Sequence, residues 1–380
     1  MSKKNTPSKS KEAAKKRTSP KKPMARVLAR LRTLQSNKLF KPIAGAMLGL
    51  IILVVGIIVL NNPEKIDNSP KIEDLGTQTS SDASGDEQVT SPLSGLLVPA
   101  SSAANPVTGL IIDNTPSVRP QSGLSDAEVV IESISEAGGT KLLAIFQTNT
   151  PDKVGPIRSS RPHLIEWLEP FDAVHGHVGA DNAGRAALAT YVDQSMDQYE
   201  IGGPVYERIS SVPAPHNVFT GFDQILKYTE QQGYDSDNLQ SFERKPSEPA
   251  VEPTATQIDM RISSNIYNPS YSYDSDSNSY FRSFGQVAHR DANTDEQLAA
   301  DVVIGMIVSG SSFVDDGPRY RYNNIGSGVA YIFQDGEATK GRWNKSSVAE
   351  QITFSTESGE SIKLNPGVVW ISMVNGVDWQ

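Results

Sequence analysis

Residues 127–148 read AEVVIESISEAGGTKLLAIFQT. Two apolar, β-branched runs of strand length, 127–133 and 141–148, flank a glycine turn at 136–140. Runs this short, bounded by Gly and rich in Val and Ile, read as strands rather than helices. The short connection between them predicts an antiparallel hairpin. Working outward, residues 110–112 form another strand and end in an Asp113-Asn114 turn. Residues 173–178 form a further strand. Helices are expected over residues 162–168, with Pro162 in the first turn after Arg161, and over 182–192, with Ala186, Leu188, Ala189 and Val192 available to pack. A third is expected over 222–231, capped by Thr220. Strands interleaved with helices predict an α/β-type mixed-sheet domain over residues 105–242.

Residues 243–257 (ERKPSEPAVEPTATQ) carry three prolines and little that packs, so a linker is expected there. From residue 258 to 380 the pattern changes to short strands and turns. Residues 271–273 and 280–282 flank DSDSNS as one hairpin. Residues 329–333 and 340–343 flank Asp335-Gly336 as a second. Residues 302–308 form a continuous apolar strand suited to a sheet centre. Residues 352–354, 361–364 and 368–374 complete a mostly-β C-terminal domain. The expected fold class is therefore α+β.

Toward the N-terminus, residues 61–104 are rich in Ser, Thr, Asp, Gly and Pro and are expected to be a flexible linker. A chain of that length spans about 35–40 Å r.m.s.. It follows an uncharged run, IAGAMLGLIILVVGIIVL, that begins at Ile43 and ends at Leu60. As a helix this run is about 27 Å long, close to the hydrocarbon thickness of a bilayer. The preceding tail, residues 1–42, holds fourteen Lys or Arg and one acid, Glu12. Of the chain's 35 basic and 44 acidic residues, 21 and 43 follow the run. A Lys/Arg excess stays cytoplasmic, which places the N-terminus inside and residues 61–380 outside. The run exceeds the apolar core of a secretory signal, and Asn61-Asn62-Pro63-Glu64 offers no small-residue cleavage site. A retained signal anchor fits best, and cleavage after export is the alternative. The tail has no aromatic platform for base stacking, so no nucleic-acid partner is expected. The absence of Cys excludes disulfides, thiolate metal sites and cysteine nucleophiles.

A series of short motifs runs through residues 105–380. They are Asn105-Pro106-x-Thr108-Gly109, Arg119-Pro120-Gln121-Ser122-Gly123-Leu124, Gly138-Gly139-Thr140, Gly155-Pro156-x-Arg158-Ser159-x-Arg161, His177-x-Gly179 and Pro215-His216-Asn217. His289-x-Asp291 and Leu364-Asn365-Pro366-Gly367-x-x-Trp370-Ile371 follow. In this order they resemble the YerB-like family of bacterial envelope proteins. The resemblance implies an extracytoplasmic, membrane-attached protein of two linked domains and implies no reaction. The chain departs from the family in lacking a lipid-bearing Cys, which the run at 43–60 would replace as anchor, and in carrying Ala180-Asp181 after His177.

Residues 154–181 are densest in reactive groups. Arg158 and Arg161 enter a helix from a Gly-Pro turn, a placement suited to a carboxylate or phosphate. Pairing with Glu132, Glu136 or Glu166 is the structural alternative. Arg119, His177 and His216 complete the expected ligand-binding set. Glu132 and His216 are the candidate catalytic acid or base, Glu132 through a carboxylate pair with Asp113 or Asp172. Ser159 or Ser160 with His177 or His216 makes a triad on paper, without a nucleophile-elbow motif. His175 and His177 share a strand face and with Asp181 or His216 form the one candidate metal set. Ordinary strand-face histidines are preferred, so neither metal nor cofactor is expected. Tyr271, Tyr273, Tyr280, Trp343 and Trp370 are candidates for a carbohydrate face or plain sheet packing.

Three functions remain open. The first is an envelope module that binds an anionic wall polymer or a protein partner. The second is an envelope hydrolase acting on glycan or phosphodiester. The third is a scaffold with no small-molecule site. The topology has a direct check. Protease added to intact cells is expected to remove residues beyond about 61 while sparing the basic tail, and cleavage within the tail would reverse the orientation.

Overall fold

The computed structural model describes residues 87–314 and 317–380. The expected cytoplasmic tail, membrane run and most of the expected 61–104 linker lie outside the described residues. Among the described residues no helix is long and apolar enough to cross a membrane. The last part of the expected linker is structured. Strands β1 (Gln88–Thr90) and β2 (Leu97–Pro99) pair antiparallel, and Leu93 between them is fully buried. Polar composition hid this segment, whose few apolar side chains pack onto the body of the protein.

The expected central hairpin forms. Strand β3 (Thr108–Asp113) precedes β4 (Val129–Glu136) and β5 (Gly139–Phe146), which pair with each other antiparallel. The turn needs two left-handed residues, Ala137 at φ 46° and Gly138 at φ 83°. Gly accepts that backbone without Cβ strain. β6 (Val174–His177) and β7 (Ser195–Asp197) extend the sheet in parallel from β3. β8 (Tyr206–Arg208) and β9 (Val218–Thr220) make a separate small pair. Helices Pro162–Leu168, Asn182–Tyr191 and Phe222–Gln232 stand where expected. The last is capped by Gly221, not Thr220, whose hydroxyl instead donates to the Val205 carbonyl.

In the second half, β10 (Gln257–Arg261), β11 (Ser270–Asp274), β12 (Ser279–Phe284), β13 (Val287–Ala288) and β14 (Ala299–Ala300) build most of a six-stranded sheet. β15 (Val302–Met306) returns to the first sheet. β16 (Gly310–Val314) and β17 (Pro318–Tyr322) form a hairpin of their own. β18 (Gly326–Gln334), β19 (Glu337–Lys345) and β20 (Thr353–Thr356) continue the first sheet. β21 (Val369–Met373) then pairs in parallel with both β15 and β4, and β22 (Gly376–Trp379) closes the six-stranded sheet beside β10. The expected strand at 361–364 contributes only isolated bridges.

The main sheet thus runs β20-β19-β18-β15-β21-β4-β5-β3-β6-β7, ten strands drawn from both halves. The described residues fall in one compact unit, so the break expected at 243–257 falls inside it. Lys245 in that segment holds Asp335 and Asn365 at 2.6 and 2.7 Å. A mixed sheet followed by a mostly-β half matches the expectation, while strands outweigh helices and the fold is β-rich rather than a balanced α+β. Side-chain alternation explains the two faces. Leu110, Ile112, Val130, Ala144, Val303 and Trp370 point to one core, while Ile111, Val129, Ile131, Leu143, Ile304 and Ile371 point to the other. Each fully buried apolar side chain is worth about 1.5–3 kcal/mol.

One charge pair crosses the first core. The Arg282 Nη2 group donates to Glu132 Oε2 at 2.7 Å, and both side chains are buried. Glu132 Oε1 accepts from Asn114 and Thr140, and Arg282 also packs 4.3 Å from the Trp370 ring. Removing one member leaves the other charged and dry, at a cost of about 3–5 kcal/mol. Arg282→Met is therefore expected to lower unfolding free energy by about that amount in urea titrations.

Candidate functional site

The site gathers where β3 ends, β5 begins and the helix Pro162–Leu168 starts. Asp113 and Lys141 are register partners on adjacent strands. The Gly155-Pro156 turn delivers Arg158, Ser159 and Arg161 beside them. The β16–β17 hairpin of the second half adds Arg319. Asp113, Thr115, Glu136, Lys141, Arg158, Ser159, Arg161 and Arg319 line a cleft of about 510 Å³. A second cleft of about 330 Å³ shares Ser159, Arg161 and Arg319 and adds Asp181 and Arg185.

Three arginines and Lys141 face two acids in the larger cleft. Arg158 Nε lies 3.1 Å from Asp113 Oδ2, and its Nη1 donates to the Pro215 carbonyl at 3.2 Å. His216 Nδ1 meets the same Asp113 oxygen at 2.5 Å. Thr115 donates its hydroxyl and its amide to Asp113 Oδ1 at 2.6 and 2.9 Å. Burial works to raise the Asp113 carboxyl, but the two Thr115 donors, His216 and Arg158 outweigh it and hold the group below the ordinary carboxylate value. Arg161 is buried, ion-paired with Glu136, and 3.4 Å from Asp181 Oδ2, which Arg319 approaches to 3.3 Å. Lys141 is 3 % exposed and bonds to Glu136, the Ser159 carbonyl and Ser159 Oγ.

The structure brings Arg158, Arg161 and Asp181 onto these clefts, with His216 joined to them through Asp113. Glu132 is fully buried, paired with Arg282, and lines neither of these clefts. Arg119 donates to Asn114 and the Ile266 carbonyl and stacks on Phe284 at 3.6 Å, beside a separate, more apolar cleft of about 650 Å³. His175 and His177 stack at 4.8 Å but are buried. His175 Nε2 pairs with Ser160 Oγ at 2.8 Å, and His177 pairs with Ser195 Oγ and the Gly179 carbonyl. Asp181 turns away to cap the helix Asn182–Tyr191 through the Gly184 amide and to meet Arg161 and Arg319. The candidate metal set therefore does not assemble. Among the described residues no three His, Asp or Glu side chains gather as ligands. Tyr271, Tyr280, Trp343 and Trp370 are buried packing, not a carbohydrate face. His289 and Asp291 bond to Gln121 and to the Ser125 amide, joining the two halves.

Lys141 and Arg319 were missed in the sequence. Lys141 stands at the start of the apolar run 141–148 and carries no local motif of its own. Arg319 sits in a hairpin with no local motif.

These features define a two-part, β-rich protein whose halves share one sheet and one cation-lined cleft. Residues 93–235 match the N-terminal domain, and residues 258–371 the C-terminal domain, of the family described as protein of unknown function DUF3048. The chain belongs to this YerB-like family. It is 29% identical over 262 residues to the Bacillus subtilis (strain 168) protein named "Putative lipoprotein YerB", covering 68% of this chain and 78% of that one. The crystal structure of YerB from Bacillus subtilis superposes with a TM-score of 0.69 at 26% identity, over 76% of this chain and 99% of that one.

Asp113 gives a pH test. Its proton is held less tightly in the folded protein than in the unfolded chain. Its contribution is complete above the unfolded value near pH 4 and is lost as pH falls through the lower folded value. Asp113→Asn is expected to flatten the acid limb of wild-type stability, read from urea midpoints between about pH 2.5 and 5.

Proposed function

We propose that the protein is an envelope-associated binding module whose ligand presents carboxylate or phosphate groups to the cleft formed by Lys141, Arg158, Arg161 and Arg319. The carrying observation is three arginines, Arg158, Arg161 and Arg319, facing two acids in one cavity. They stand within a region, residues 61–380, that holds 21 basic and 43 acidic residues. Arg guanidinium forks match carboxylate and phosphate oxygens in geometry as well as charge. The envelope assignment draws on the lipoprotein name of the relative and on the basic–apolar–acidic order of residues 1–60 and beyond. In this reading the run at 43–60 is the membrane tether, and residues 61–380 work on the extracytoplasmic side. An anionic wall polymer, or a protein presenting acidic groups, is the expected partner. The pairing of Glu132 with Arg282 weighs against Glu132 as the acid of a glycan hydrolase.

Binding can be measured with inorganic phosphate and with purified teichoic acid and peptidoglycan fragments, using the full 380-residue chain in detergent. A charge-assisted hydrogen bond is worth about 1.5–3 kcal/mol, so Arg158→Ala is expected to weaken phosphate binding about tenfold or more. Arg261→Ala, which removes a cation of the other sheet paired with Asp378, is expected to leave it unchanged. Equal binding by wild type and Arg158→Ala, or none by wild type, would overturn the proposal.

A further inference from the structure

Anion binding does not account for Lys141 and Ser159. A lysine used only as a charge gains by staying wet, yet Lys141 is enclosed. Its Nζ lies 2.9 Å from Glu136 Oε1, 3.1 Å from the Ser159 carbonyl and 3.0 Å from Ser159 Oγ. A neutral amine has two N–H donors and one lone pair. Donating to Glu136 and to the carbonyl uses both donors and leaves the lone pair for the Ser159 hydroxyl. Burial first, then the neighbouring Arg158 and Arg319, push the Lys141 ammonium well below its ordinary value, against the pull of Asp113 and Asp181. Ser159 is half-buried and lines both clefts, so its oxygen can be reached. Its neighbour Ser160 is fully buried on His175 and cannot.

We propose that Ser159 Oγ is a nucleophile with Lys141 Nζ as its general base, and that the cleft transfers acyl groups from esters or amides bearing a carboxylate or phosphate. The substrate class rests on the anion-binding reading of the same cleft, whereas the nucleophile does not. Ser159 Oγ forms a bond to the carbonyl carbon as its proton passes to Lys141 Nζ. The carbonyl oxygen takes the electron pair, and the cations of the cleft offset its charge. The bond to the leaving oxygen or nitrogen then breaks, and that atom takes the proton from Lys141. Water, deprotonated by the same amine, releases the acid and restores Ser159. The net change is hydrolysis, with no oxidant or cofactor consumed.

The test treats the full chain with a neutral fluorophosphonate probe and with a fluorescent penicillin, an acyl donor that carries a carboxylate. Labelled residues are located by peptide mass mapping. Both probes are expected to modify Ser159. Ser159→Ala is expected to take up neither, and Lys141→Met is expected to react about a hundredfold more slowly or worse. Because Lys141→Met removes an enclosed, hydrogen-bonded amine and can unfold the chain, the wild-type pH profile is the second measurement. The labelling rate is expected to rise with pH and level off below the usual lysine value of about 10.4. No fluorophosphonate label on Ser159, or a rate still climbing through about pH 10, would overturn the nucleophile. Fluorophosphonate labelling without penicillin labelling would overturn the anionic substrate class alone. Absence of phosphate binding in the separate titration would overturn the anion reading and leave the nucleophile standing.

Discussion

The parallel ladder that sets Val369 to Ser372 against Val129 to Glu132 is the constraint on which the molecule depends. A chain that must return so late to the middle of its own sheet cannot split into free halves. The ladder places β21 at the centre, with β15 on one side and β4 on the other. It also fixes the face on which Glu132 points, and so the place where Arg282 of the second sheet must meet it. A buried ion pair of this kind contributes little net stability when intact and is costly when broken. Its effect is to hold the two sheets in one relative position.

The same constraint builds the cleft. Lys141, Arg158 and Arg161 come from the first half, but Arg319 arrives on a hairpin of the second. Each of these side chains meets an acid or a carbonyl, so the site is formed before any ligand enters. Asp113 gathers Arg158, His216 and Thr115 into one network, which keeps the carboxylate charged and the cleft wall in place. Preformed polar walls lower the ordering cost of binding. The enclosed amine of Lys141 differs in kind from the arginines. Guanidinium stays charged in any protein site, while an amine loses its proton once burial and neighbouring cations are strong enough.

Much of this was legible locally. Alternation and glycine turns located the β4–β5 and β18–β19 hairpins, and the Pro-led helix after Arg161 began where its sequence placed it. Arg158 and Arg161 were visible because a Gly-Pro turn leads into a helix. Glu132 was misjudged because its partner, Arg282, is 150 residues away. The histidine pair on β6 was seen correctly as sharing a face, but nothing in the residues said that the face is closed by Ser160 and Ser195. The polar stretch before residue 105 concealed a strand pair because few side chains there carry its packing.

The sequence by itself determined the short strands and their turns, the β-rich second half, and the division into a basic leader, an apolar run and an acidic remainder. These follow from properties that act between near neighbours: side-chain period, turn chemistry and charge composition. The tertiary structure alone decided that both halves share one sheet and that Arg282 takes Glu132. It also decided that Lys141 is enclosed against Ser159 and that Arg319 completes the cleft. Coulomb energy and desolvation depend on distance and burial in space, and neither is set until the late strand β21 has closed the sheet.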